Sequence, residues 1–192
     1  MVGGKALLFL DIDGVLNGDS RRFSERHQVH VSAEELHSSE SPFSKNFTEE
    51  GLTFDVNLDP RMRAWMDQLS QVFELVWAST WEHLANTYIS PLLGLGELGV
   101  VEHSKFPPTP DEVAKHDVAL WKWRAIVPYA GGRPFCFVDD QAGLLRQRLR
   151  SGKLFDGPSV PLVLSPRHGL TGTDLAHLLD FGTTHLLGGG AR

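Results

Sequence analysis

Four short stretches of the chain are apolar at nearly every position: residues 6–10, 73–78, 135–138 and 160–164, with 99–101 a weaker fifth. Unbroken apolarity, rather than alternation, is what a parallel sheet covered on both faces requires of its strands. Between these stretches the spacing becomes helical. Asp59 suits an N-cap with Pro60 at the first helical position, and Met62, Trp65, Met66 and Leu69 follow at helical intervals. Ser79 and Glu82 have the spacing of a capping box opening a second helix. Further helices are expected near 118–129, 141–150 and 174–181. Strand and helix thus alternate, which predicts an open α/β fold.

Residues 18–57 break this rhythm, being polar, rich in Ser, Glu and His, and without a long apolar run. Short alternation at 27–31 and 52–56 predicts a β-hairpin flap, with an exposed loop over 32–51 between its strands. The 192 residues are expected to form one domain, 1–192, carrying 18–57 as a flap or small cap insertion. The glycines at 188–190 read as a frayed tail.

Composition narrows the function. Hydrophobic residues make up 41% and charged residues 22%, as in an ordinary soluble protein. A formal charge of −6 argues against a long nucleic-acid track or an anionic membrane surface. The basic group Arg146, Arg148, Arg150 and Lys153 reads as a complement to a helix dipole. The lone cysteine, Cys136, excludes an intramolecular disulfide and a cysteine-rich zinc site, and its apolar neighbours predict a buried, inert thiol. No stretch approaches the roughly 18 apolar residues of a membrane span. The apolar run at 6–10 is too short for a signal peptide, so a cytoplasmic protein is expected. His27 and His30 lack a third partner in register and read as solvated loop residues. Trp77, Trp81, Trp121 and Trp123 are expected to fill the core, with base stacking the less favoured alternative.

The candidate chemistry begins where the first apolar run meets Asp11-Ile12-Asp13-Gly14. A buried strand ending in two carboxylates delivers them to the carboxyl edge of the sheet, where open α/β folds hold ligands. An Asp11 carboxylate oxygen and the Asp13 carbonyl can there face one hard cation such as Mg²⁺. Gly14 lets the backbone turn sharply. A calcium loop is excluded, because its fifth, sixth and twelfth positions would be Val15, Leu16 and Arg22. From this motif alone, two ordinary turn carboxylates remain the alternative.

Taken with three further motifs, the sequence resembles the haloacid dehalogenase (HAD) superfamily of aspartate-nucleophile phosphatases. Asp11-Ile12-Asp13-Gly14-Val15 matches its first motif, Leu75-Val76-Trp77-Ala78-Ser79 its second, Lys122 its third and Phe137-Val138-Asp139-Asp140 its fourth. The resemblance implies a Rossmann-like three-layer sandwich with a five-stranded parallel sheet in the order 5-4-1-2-3 and a minimal cap. It implies an Mg²⁺-dependent phosphomonoester hydrolase with an aspartyl-phosphate intermediate. Asp11 would be the nucleophile and Asp13 the general acid and base. Asp11, Asp13 and Asp139 would hold the metal, with Asp140 reaching it through water, and the adjacent spacing leaves open which of Asp139 and Asp140 touches it directly. Ser79 and Thr80 would bind phosphate, and Lys122 would sit over the nucleophile, with Lys115 as the fallback. The tryptophans of the second motif and Gly169-Leu170-Thr171 resemble HAD modules associated with RNA repair, which implies a nucleotide or nucleic-acid end as substrate. A sugar or biosynthetic-intermediate phosphatase, or a catalytically quiet binding module, are the alternatives.

Overall fold

The computed structural model describes residues 4–38, 50–143, 145 and 158–187. Most of the expected 141–150 helix, residues 39–49 of the expected 32–51 loop, the basic group at 146–153 and the glycines at 188–190 fall outside the described residues.

Five parallel strands form the central sheet: β1 (Ala6–Leu10), β4 (Phe73–Trp77), β5 (Gly99–Val100), β6 (Phe135–Asp139) and β7 (Ser159–Val163). Their spatial order is β5-β4-β1-β6-β7. Counting these five alone along the chain, that is the expected 5-4-1-2-3 arrangement, with β1 in the middle. Alternate residues of β1 serve opposite faces. Leu8 and Leu10 join Met66, Leu69, Trp77 and Leu178 in one apolar cluster. Leu7 and Phe9 join Trp123, Ile126 and Phe137 in the other. Both faces of β1 are therefore dry, which is why its sequence shows no alternation.

The first face is covered by helices α2 (Met62–Val72) and α6 (Gly172–Leu187), the second by α5 (Val118–Ala130). The fold is thus an α/β three-layer sandwich of Rossmann-like form. No helix among the described residues is long and apolar enough to cross a membrane.

The insertion is an antiparallel hairpin of β2 (Glu25–Val31) and β3 (Leu52–Leu58), separate from the main sheet. Val29, Val31, Val56 and Leu58 face the core, and alternate positions such as Arg26, Gln28 and Asp55 face outward. A short helix, α1 (Ala33–Ser38), follows β2. The expected exposed loop therefore begins with a helical turn, capped by Ser32 and Glu35 acting on each other's backbone amides at 3.0 and 3.3 Å.

Two helix starts differ from expectation. Helix α2 begins at Met62, two residues after Pro60. The Asp59 carboxylate still accepts from Arg61 N at 3.0 Å as a cap would, and it is also held by the Arg61 guanidinium, at 2.7 and 2.9 Å, and by Arg22 at 3.1 Å. Hydrogen bonding from Arg61 keeps its carboxyl below the usual range. The Ser79–Glu82 box does not form. The Glu82 carboxylate accepts from Ser104 N at 2.7 Å and Ser104 Oγ at 3.0 Å. Glu82 itself has φ +45°, and α3 runs only over Leu84–Tyr88. A box forms instead at α4 (Pro110–Lys115), between Thr109 and Glu112. Cys136 is buried within β6, and burial pushes its thiol far above the ordinary range.

Candidate active site

The pairing of β1 continues one residue past each strand end: Asp11 N donates to Val138 O at 3.0 Å, and Ala78 N to Leu10 O at 2.8 Å. This draws Asp11, Ala78–Ser79 and Asp139–Asp140 together at the carboxyl edge of three adjacent strands. The chain then turns back on itself, with Leu16 N donating to Ile12 O and Gly14 N to Asn17 O. Gly14 has φ +75°, and a Cβ there would stand 2.5 Å from Asp140 Oδ2. Only glycine lets the turn lie this close to the end of β6.

Asp11 is buried. Its Oδ1 accepts from Ile12 N at 2.8 Å, and its Oδ2 lies 2.6 Å from Lys122 Nζ. Lys122 comes from α5, where it is also buried, and reaches Asp139 Oδ2 at 2.9 Å. The other oxygen of Asp139 accepts from Gln141 N at 2.7 Å. Asp140 is less enclosed, and its buried Oδ1 has no hydrogen-bond partner among the described residues. Asp11, Asp139 and Asp140 each offer an oxygen, all within 4.8 Å of one another.

Three clustered carboxylates thus have one ammonium among them, paired with Asp11 and Asp139. Burial pushes the Asp11 carboxyl up to about 7; Lys122 opposes this, and Asp139 adds to it. Burial, then Asp139, raises Asp140 as well. Burial works against the Lys122 charge, but Asp11 and Asp139 outweigh it and lift its pKa above the ordinary lysine range. The cluster is short of positive charge, it contains only hard oxygen donors, and one of those oxygens is unused. A small divalent cation fits these conditions.

Asp13 is exposed, but both its oxygens are engaged. Oδ1 accepts from Asn17 Nδ2 at 2.8 Å and Oδ2 from Trp81 Nε1 at 2.9 Å. Ser79 is buried beyond the end of β4, and its Oγ makes only a long 3.5 Å contact with Trp81 N. Thr80 is half-buried beside it. Lys115 is elsewhere, paired with Asp111 on its own helix at 2.7 Å. His27 and His30 lie on β2 rather than in a loop, and His30 Nδ1 meets Thr53 Oγ1 at 3.2 Å.

The four tryptophans flanking the motifs are all buried, as expected. That Trp81 also reaches Asp13 was not legible, and nor was the contact from Asn17. A recess of about 730 Å³ opens at the flap base, lined by Gly18, Arg21, Arg26, His27, Gln28 and Asn57 among others. Within it, Ser20 Oγ and His27 Nε2 are buried and have no partner among the described residues. Its Asn57 wall donates through the backbone amide to Asn17 Oδ1 at 2.8 Å, and Asn17 leads to Asp13.

A family model described as the HAD domain in Swiss Army Knife RNA repair proteins matches residues 7–174. No curated protein and no solved structure matches the chain. The matched span covers most of the sequence and contains Asp11, Asp13, Ser79, Lys122, Asp139 and Asp140, and the fold has the parallel sheet expected of such a domain. The chain belongs to the HAD superfamily, within the family of HAD domains described from Swiss Army Knife RNA repair proteins.

Proposed function

We propose that this protein is an Mg²⁺-dependent phosphomonoester hydrolase that uses Asp11 as its nucleophile. The observation that carries the proposal is the Asp11 carboxylate, buried at the carboxyl edge of β1, 2.6 Å from Lys122 and grouped with Asp139 and Asp140. Asp11 attacks phosphorus in line, forming an acyl phosphate as the bond to the leaving oxygen breaks. Asp13 gives its proton to that oxygen. It then takes a proton from the water that attacks phosphorus, which releases phosphate and restores Asp11. The Ser79 hydroxyl and the Thr80 amide donate to phosphate oxygens, and Lys122 offsets charge beside the nucleophile.

The residues suited to hold the cation are Asp11, the Asp13 carbonyl and a carboxylate at the end of β6. Asp140 is the better direct ligand, because its Oδ1 is unused whereas both Asp139 oxygens are engaged by Lys122 and Gln141. Mg²⁺ bound there would neutralise charge on the phosphoryl group. Asp139 then serves chiefly to hold Lys122 against Asp11. The acting unit is the single domain, 1–192, with 18–57 as the flap over its cleft.

For the substrate we infer a phosphorylated nucleotide or nucleic-acid end. The family description supports this class, and Arg21 and Arg26 in the flap recess offer donors to phosphate oxygens, although Asp19 and Asp55 line the same recess. The net charge of −6 favours the second reading, a small sugar or biosynthetic-intermediate phosphate. The test is phosphate release from a panel of nucleotides, phosphorylated oligonucleotides and metabolites, with and without Mg²⁺, for the wild type and Asp11→Asn. Turnover that needs both Mg²⁺ and Asp11, with an acid-stable, hydroxylamine-labile phosphoprotein trapped in the wild type alone, is the expected result. Undiminished turnover by Asp11→Asn would refute it.

A further inference from the structure

Asp13 stands on an exposed turn, where a carboxylate ordinarily samples several rotamers. Here two neutral donors from different parts of the chain hold it, one on each oxygen. The indole N–H of Trp81 can only donate, so its 2.9 Å contact with Oδ2 has a single reading. The Asn17 amide is oriented as firmly. Its Oδ1 accepts from Asn57 N at 2.8 Å, which turns Nδ2 toward Asp13 Oδ1. Both donors lean on one strand of the flap. The Trp81 ring packs on Phe54 with centroids 4.9 Å apart, and Asn57 lies three residues further along β3.

We propose that Trp81 and Asn17 are positioning residues for Asp13, and that β3 of the flap sets their placement through Phe54 and Asn57. This rests on the reading of Asp13 as the proton donor to the leaving oxygen. A donor misplaced by about 1 Å loses much of its effect, so fixing both carboxylate oxygens is a direct contribution to the rate. The flap therefore acts on the chemistry as well as on entry to the cleft, with Phe54 and Asn57 working through Trp81 and Asn17.

The test uses Trp81→Phe, which keeps an aromatic ring against Phe54 and removes the N–H. With an alkyl phosphate, kcat/KM should fall roughly ten- to a hundredfold, the worth of a hydrogen bond to a charged group. With an aryl phosphate whose phenolate departs without a proton, the fall should be small. In an Asp13→Asn background, Trp81→Phe should cost nothing further, because the group it positions is already gone. Phe54→Leu should reproduce the same leaving-group pattern more weakly. Equal losses on both substrates that add to those of Asp13→Asn would mean that Trp81 only supports the fold, and would overturn the proposal.

A second measurement does not depend on turnover. The Trp81 indole resonance in a ¹⁵N–¹H spectrum, identified by its absence in Trp81→Phe, should move in Asp13→Asn and in Phe54→Leu. An unmoved resonance overturns the contact. If the wild type hydrolyses no phosphate in the panel, the phosphatase reading fails, and the resonance still decides whether Trp81 holds Asp13.

Discussion

Lys122 Nζ lies 2.6 Å from Asp11 Oδ2, with both side chains inside the protein. The same ammonium also meets Asp139, so removing it strands two buried carboxylates at once. Lys122→Met should destabilise the fold by roughly 3–5 kcal/mol, the usual cost of breaking a buried ion pair from one side. Denaturant unfolding measures this. Wild-type stability in the variant would mean that the carboxylates find relief by taking up protons.

The two acidic residues at the end of β6 should separate cleanly in thermal unfolding. Added Mg²⁺ should raise the wild-type Tm, since a ligand that binds only the native state stabilises it. Asp140→Ala should abolish most of that rise while leaving the metal-free protein as stable as before or more so, because a crowded negative charge has gone. Asp139→Ala should lower metal-free stability instead, since it strips Lys122 of a partner. The reverse pattern would make Asp139 the direct ligand.

His103 should give the fold a distinctive dependence on pH. It is buried against Trp121, and burial, helped by Lys122, pushes its pKa from 6.5 down to about 3. The unfolded chain therefore takes up the proton first. The stability from the neutral ring is complete above pH 6.5 and is lost as pH falls toward 3. Between pH 6.5 and about pH 5 the loss is on the order of 2 kcal/mol. Asp11, with its raised carboxyl, pulls in the opposite sense over an overlapping range. It is present in both the wild type and His103→Phe, so the difference between their unfolding curves isolates the histidine. A difference that stays constant with pH would refute this account.

At Glu82 a left-handed backbone and a buried carboxylate occur in one residue. Glu82→Ala should cost about 1–3 kcal/mol, because Ser104 loses its acceptor. Glu82→Gly should recover about 1 kcal/mol of that, since glycine carries no penalty at positive φ. Equal stability of the two variants would show that the backbone angle stores no strain.

These residues also show what the sequence could and could not reveal. The strands were legible because Leu7, Phe9, Leu8 and Leu10 all meet apolar partners, so composition alone marked β1. The capping boxes were not. Ser79 and Glu82 have the spacing of a box and form none, whereas Ser32 with Glu35 and Thr109 with Glu112 have the same spacing and do. The deciding factor is a competing partner, Ser104, which the fold brings to Glu82 from across the chain. The choice between Lys122 and Lys115 was likewise tertiary. Lys115 is satisfied by Asp111 one helical turn away, while Lys122 faces β1 from within α5. The contact between Trp81 and Asp13 spans 68 positions, and no local pattern encodes it.

The central place of β1 also shapes how the chain emerges during synthesis. Ala6–Leu10 precedes both of its neighbours in the sheet, β4 beginning at Phe73 and β6 at Phe135. Until those strands are made, a five-residue segment that is wholly apolar and rich in strand-forming character has no native partner on either edge. Such a segment is a site for chaperone capture or for pairing with another nascent chain. Asp11 at its end shares that wait, because its surroundings at Lys122 and Asp139 are assembled only when the last central strand docks.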